Sequence, residues 1–203
     1  MTEKERMLAG KLYIAQGDEI VSGILRARKL VRAFNDSEET AFEQRDALLH
    51  ELLGRMGEGA SINPPFRCDY GFNITVGDRF FANYDCIFID VCPITIGDDV
   101  FFGPRVCLYT AGHPVDADVR NMGLEYGKPI TIGNNVWFGG NVVVNPGVTI
   151  GDNVVIGSGS VVTKDIPSGV IAAGNPCCVL REITDADREH WNRLKDEYIA
   201  SKE

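Results

Sequence analysis

The sequence predicts a mainly β fold in which short parallel strands wind coil upon coil into a β-helix. Three observations carry that prediction. From Ile132 onward an apolar residue recurs at every sixth position, through Phe138, Val144, Ile150, Ile156 and Val162. The residue after each is small or tolerant of turns: Gly133, Gly139, Asn145, Gly151, Gly157 and Thr163. Four positions after each apolar residue stands a second series: Val136, Val142, Val148, Val154, Ser160 and Ile166. A period of six does not match the helical 3.6, and a plain strand would not require glycine at a fixed phase. Strands folded at regular corners satisfy both. Each apolar residue then points onto its counterparts in neighbouring coils, and the small residue beside it turns the tight corner.

The elements follow in order. "TEKE" places Thr2 and Glu5 at capping-box spacing for a first helix. Helical patterns follow near residues 18 to 34 and 38 to 53, with Ser37 as the N-cap of the second and Gly54 as its stop. Residues 1–58 therefore read as an N-terminal helical segment, and 59–182 as the coil. In the early coil Val76-Gly77, Ala82-Asn83 and Phe88-Ile89 share one phase. Ile96-Gly97, Phe102-Gly103 and Leu108 share the later phase, and "VCPI" absorbs the shift between them. Between Leu108 and Ile132 the phase is kept but the repeat residues vanish. "GHPVDADVRNMGLEYGKP" is polar, with proline and glycine at its ends, and reads as a loop, about 111–129, extruded from one corner. Insertions on such scaffolds map to a binding face. Residues 183–203 read as a terminal helix with Thr184 as N-cap and acids in its first turn.

Composition narrows the possible functions. The 203 residues suit one domain with a sizeable core, 44% of them being hydrophobic. A net charge of −9 argues against nucleic acid or an anionic membrane surface as partner. No apolar run approaches the ~20 residues that span a bilayer. "MTEKERMLAG" is charged and lacks an apolar core, so no secretory leader is expected. Cys68, Cys86, Cys92, Cys107, Cys177 and Cys178 show no CxxC spacing. Buried thiols and a cytoplasmic location are the expectation.

The period-six repeats resemble those of the hexapeptide acyltransferases. "MLAGKLY", "FRCDYGFNI", "FFANYD", "DVCPITIGDDV", "GHPVD", "GLEYGKPITIGNNVWFGG", "GSGSVVTKDIPSGVIAAGNP" and "VLREI" together resemble the maltose and galactoside O-acetyltransferase family, the maltose type most closely. The resemblance runs over essentially the whole chain. It implies a left-handed parallel β-helix, although crossover rules alone would favour the right hand. It implies acetyl transfer from acetyl-CoA to a hydroxyl of maltose, glucose or a related sugar, with no metal. It further implies a homotrimer with active sites between subunits. The catalytic histidine then falls on His113 and the transition-state asparagine on Asn83. The acceptor pocket falls on Asp69, Asp90 and Glu125, and the CoA contacts on Gly140, Ser158, Thr163, Lys164 and Arg181. Two departures stand out. Cys178 follows "GNPC" where many relatives carry a small or basic residue. The acids of galactoside enzymes are replaced by Ala15 and Val91, which favours maltose or glucose.

The chemistry suits these residues. A sugar hydroxyl is a poor nucleophile near neutrality, and a neutral imidazole can accept its proton and then protonate the departing thiolate. His113 sits at the one break in the coil, whereas His50 and His190 lie in helical patterns. The Gly140 N–H and the Asn83 amide are donors for a developing oxyanion; the lesser alternative for Asn83 is to stabilise a corner. Asp69 and Asp90 could receive sugar hydroxyls, and Glu125 either does the same or orients the imidazole. Lys164 and Arg181 offer fixed charge to phosphates. Trp137 could line a pocket or pack against a neighbouring subunit. A three-histidine zinc site of the γ-carbonic anhydrase kind is rejected, because only His113 lies within the repeats. A streptogramin-type O-acetyltransferase and a non-catalytic trimeric scaffold remain as alternatives, with "MLAGKLY" favouring sugar. Direct transfer is expected over an acetyl-cysteine intermediate, since thiols packed inside repeats stay protonated.

Overall fold

The computed structural model describes residues 1–202, so of the expected terminal segment only Glu203 lies outside the described residues. Parallel strands stack into three faces. The first comprises Arg55–Met56, Ile74–Val76, Ile94–Ile96, Ile130–Ile132 and Thr149–Ile150. The second comprises Ser61–Ile62, Phe81–Ala82, Phe101–Phe102, Trp137–Phe138, Val155–Ile156 and Val170–Gly174, with Cys177–Glu182 returning antiparallel at its end. The third comprises Phe66–Cys68, Cys86–Ile89, Cys107–Tyr109, Val143–Val144 and Val161–Val162. The chain is a parallel β-helix.

The period-six residues lie in register through the core. Ile96, Ile132 and Ile150 pair in succession on one face, and Phe102, Phe138 and Ile156 on the next. Every member of both apolar series, Ser160 included, is buried. Phe66, Phe88, Phe102 and Phe138 form a chain of edge-to-face rings with centroids 4.6 to 5.8 Å apart. Burying a ring of that size stabilises the fold by ~1.5–3 kcal/mol.

The corners depart from the sequence expectation. The small residue beside each inward side chain is not the one that turns. The left-handed residues stand three positions after the inward one: Arg79, Asp85, Asp99, Arg105, Asn135, Asn141 and Asn153, with φ from 54 to 63°. The glycines serve stacking instead. A Cβ on Gly97 would lie 2.5 Å from Asn134 Oδ1 of the next coil. That space belongs to a polar ladder along the edge after the first face. Asp78 Oδ1 accepts from Glu58 N (2.9 Å), Asp98 Oδ1 from Asp78 N (2.7 Å) and Asn134 Oδ1 from Asp98 N (2.8 Å). Asp152 Oδ1 accepts from Asn134 N (2.6 Å) and Ser168 Oγ from Asp152 N (2.9 Å). Each coil satisfies an amide of the coil before it, so the edge leaves few orphan donors.

Helices close the N-terminal end. Helix α1 (Glu3–Leu8) carries the full capping box between Thr2 and Glu5. Helix α2 (Asp18–Asn35) buries Ile20, Ala27, Leu30 and Phe34 at helical spacing, and α3 (Phe42–Leu52) buries Leu49 and Leu52. Phe34, Leu49 and Leu52 join the same core as Phe66 and Ile74, so the pair lids the first coils. Ser37 is not the N-cap of α3, which begins after Ala41 without a side-chain cap. Its hydroxyl donates to Phe34 O (2.6 Å) and accepts from Arg45 Nε (2.7 Å), so it finishes α2 instead.

The polar excursion is not an irregular loop. Ala111–Gly112 pairs antiparallel with Tyr126–Gly127, and helix α4 (Ala117–Asn121) forms the tip, capped by Asp116. The N-terminal strand Tyr13–Ile14 pairs with Leu124–Glu125 on the other side, making a three-stranded arm. A polar segment lifted off the coil still needs partners for its backbone, and a distant strand provides them. Helix α5 (Asp185–Ala200) follows, with a capping box between Thr184 and Asp187 and no buried residue. Among the described residues no helix is long and apolar enough to cross a membrane.

Candidate active site

The residues singled out in the sequence collect on two separate edges of the coil. On the edge after the third face, Asp69 follows Phe66–Cys68, Asp90 follows Cys86–Ile89, and the arm bearing His113 and Glu125 leaves after Tyr109. Thr163 and Lys164 follow Val161–Val162 further along this edge, both exposed. On the edge after the second face stand Asn83, Gly140 and Ser158. Counting three hexapeptides to a turn would have placed the residues on these edges from sequence.

His113 is exposed on the arm, and its Nδ1 makes a long hydrogen bond, 3.4 Å, with the Leu124 carbonyl. A carbonyl only accepts, so the ring proton sits on Nδ1 and Nε2 keeps its lone pair. Glu125 does not orient the ring. Its Oε2 accepts from the hydroxyl of buried Tyr13, 3.1 Å away, which ties the N-terminal strand to the arm. Burial, reinforced by the facing Glu125 carboxylate, raises the pKa of Tyr13, so the hydroxyl stays a donor. Tyr13 and the Leu124 carbonyl were missed in the sequence because their pairing crosses from the chain's first strand to the arm. The arm's exit is pinned by buried Thr110, whose hydroxyl donates to Ile89 O (2.7 Å) and accepts from Cys92 N (3.0 Å).

Asp69 is half-buried, and burial followed by the nearby Glu125 charge raises its pKa, while Arg28 opposes the shift. Asp90 does not fit its expected place in an acceptor pocket. It is 0% exposed, and its Oδ1 accepts from the backbone amides of Asp69 (3.0 Å) and Tyr70 (2.9 Å). Its Oδ2 is buried without a partner among the described residues. Burial pushes its pKa up to about 7 against the pull of those amides. Asp90 acts as a latch that shapes the turn presenting Asp69.

The second edge offers donors. Asn83 Oδ1 accepts from Tyr84 N (2.8 Å), and its Nδ2 amide has no hydrogen-bond partner among the described residues. The Gly140 N–H lies outside the strand ladders and has no acceptor among the described residues, while its carbonyl accepts from Gly159 N (2.9 Å). Arg181, on the returning strand, forms a fork with Asp187 at 2.6 and 2.8 Å, which raises its pKa. Among the described residues no group of His, Cys, Asp or Glu side chains is placed to hold a metal ion.

Comparison with known proteins resolves the family. Residues 6–57 match the maltose acetyltransferase hexapeptide capping motif, and 129–164 match six repeats of the bacterial transferase hexapeptide. The galactoside O-acetyltransferase of Escherichia coli (strain K12) is 47% identical over 201 residues, 99% of this chain and 98% of that protein. This chain belongs to the maltose and galactoside O-acetyltransferase family. The structure of a maltose O-acetyltransferase from Clostridium difficile 630 superposes with a TM-score of 0.90 at 55% identity, covering 91% of this chain and 98% of that one. A galactoside acetyltransferase in complex with coenzyme A gives 0.90 at 48% identity, with 93% and 94% covered. The chain is therefore an acetyl-CoA-dependent O-acetyltransferase of the sugar-modifying family.

Proposed function

We propose that this O-acetyltransferase moves the acetyl group of acetyl-CoA to a hydroxyl of maltose, glucose or a related sugar, with His113 as general base. The carrying observation is the Nδ1 contact of His113 with Leu124 O, which leaves Nε2 as the basic nitrogen on an exposed arm. Nε2 takes the hydroxyl proton as the sugar oxygen bonds to the thioester carbonyl carbon. The charge on the former carbonyl oxygen is met by the Asn83 amide and the free Gly140 N–H. Collapse breaks the carbon–sulfur bond, and the imidazolium returns its proton to the CoA thiolate. Asp69 and Glu125 receive other sugar hydroxyls, while Ser158, Thr163, Lys164 and Arg181 hold CoA.

The split of these residues over two edges supports a homotrimer in which the arm of one subunit faces the Asn83 edge of the next. The outward residues Phe81, Phe101, Trp137, Val155 and Ile171 form an apolar stripe on the second face. Phe101 and Trp137 are 49% and 56% exposed in the single chain, which suits a covering subunit. The six free cysteines suit a reducing compartment such as the cytoplasm. A panel of maltose, glucose, galactosides, serine and a streptogramin, followed by CoA thiol release, tests the acceptor. Turnover confined to the streptogramin would overturn the sugar reading.

A further inference from the structure

A groove of about 760 Å³ runs between α2 and the third face of the coil. It is large enough for a disaccharide or a substituted sugar. Arg28 and Arg32, one helical turn apart on α2, line one wall, and Arg67, the outward residue of Phe66–Cys68, stands in the floor. Asp69 and Asp36 also line it. The walls are rigid. Asn35 Nδ2 donates to Phe66 O and its Oδ1 accepts from Phe66 N, both at 2.9 Å, while Ala27, Leu30 and Phe34 anchor α2 in the core.

The three guanidinium groups are exposed, and among the described residues none makes an ion pair or a side-chain hydrogen bond. Several other arginines of this acidic chain are paired, as Arg79 is with Asp99 and Arg181 with Asp187. Like charges one turn apart repel, so convergence of three of them needs a compensating anion. Three arginines against the two carboxylates Asp36 and Asp69 leave the lining of the groove net positive.

We propose that this groove is an anion subsite of the acceptor pocket, and that among sugars related to glucose and maltose the best acceptor bears a phosphate or carboxylate group. Arg28, Arg32 and Arg67 hold the oxyanion by charge-assisted hydrogen bonds, while Asp69 receives a hydroxyl. This rests on the reading of the chain as a sugar acetyltransferase and narrows its substrate class.

The test compares kcat/KM for glucose and maltose with that for glucose 6-phosphate and glucuronic acid, by CoA thiol release from the full chain. An anionic sugar should be preferred by about tenfold or more, the worth of one charge-assisted hydrogen bond, and salt should erode the preference. The phosphate and carboxylate arms distinguish the two anions. In the double variant Arg28→Gln, Arg32→Gln the ratio of anionic to neutral turnover should fall by a similar factor. Arg55→Gln, on the first face, should leave that ratio unchanged. Neutral sugars turned over as well as anionic ones, or a double variant that keeps the preference, would overturn the subsite alone. No turnover of any sugar would overturn the acceptor reading beneath it.

Discussion

At the scale of single residues, the carbonyl of Leu124 sets the tautomer through which the proposed base His113 would act. By accepting from Nδ1 it leaves Nε2 to take a proton, a choice of tautomer that no charged partner makes. His113→Ala should lower kcat by ~10²–10⁴ with little change in KM for acetyl-CoA. A variant retaining half the wild-type kcat would sink the general-base assignment. Asp90 has a different consequence. Unfolded, its carboxyl titrates in the ordinary range; folded, burial lifts it to about 7. The folded state therefore holds this proton more tightly, and the stability it contributes is present at low pH and lost as pH rises toward 7. Within that window the loss approaches ~1.4 kcal/mol per pH unit. Asp90→Asn keeps the oxygen that accepts from Asp69 and Tyr70 but removes the ionisation. Urea unfolding at pH 5 and 7.5 should show a smaller decline for Asp90→Asn than for wild type; equal declines would refute the buried titration.

At the scale of elements, the coil edge shows how a repeat builds rigidity from a side chain and a gap. Gly97 adopts no left-handed φ, so its requirement is space for Asn134 Oδ1 and the Gly133 carbonyl. Gly97→Ala should destabilise the chain by ~1–3 kcal/mol, the usual cost of overpacking. Adding Asn134→Ala removes one of the two clashing partners and should restore part of that loss. Calorimetry on the single and double variants measures both. A double variant less stable than the sum of its parts would show that the ladder, not the gap, dominates. The arm obeys a similar logic, since its strands hold His113 only because Tyr13–Ile14 supplies a third strand.

At the scale of the whole molecule, the residues of the proposed site lie on different edges of one chain, the arm on one and Asn83 with Gly140 on the other. A subunit boundary is where two such edges meet. Co-expression of His113→Ala with Asn83→Ala should then restore activity. Random mixing leaves about a quarter of boundaries with both residues intact, since each boundary draws one residue from each neighbour. Each variant alone should stay near background. Mixed preparations no more active than the separate variants would place His113 and Asn83 in one chain's site, or show that Asn83 only supports its corner.

The sequence alone determined the coil, its inward residues, the capping box of α1, the N-cap of α5 and the break that carries His113. These are local or strictly periodic features. A hexapeptide meets a near copy of itself in the next coil, so its own spacing states its partners. Other features needed distant chain segments to meet. The corner residues were misassigned because a glycine needed for clearance and a residue needed for left-handed φ differ only by what lies in the adjacent coil. Ser37 ends α2 because Arg45 reaches it from α3. Asp90 reads in sequence as an acid that could receive sugar hydroxyls, but two amides from the preceding coil and full burial make it a latch. The arm's order depends on Tyr13 meeting Glu125 across the fold. Periodicity records contacts between equivalent residues, whereas hydrogen bonds between unlike elements exist only once the chain has closed on itself.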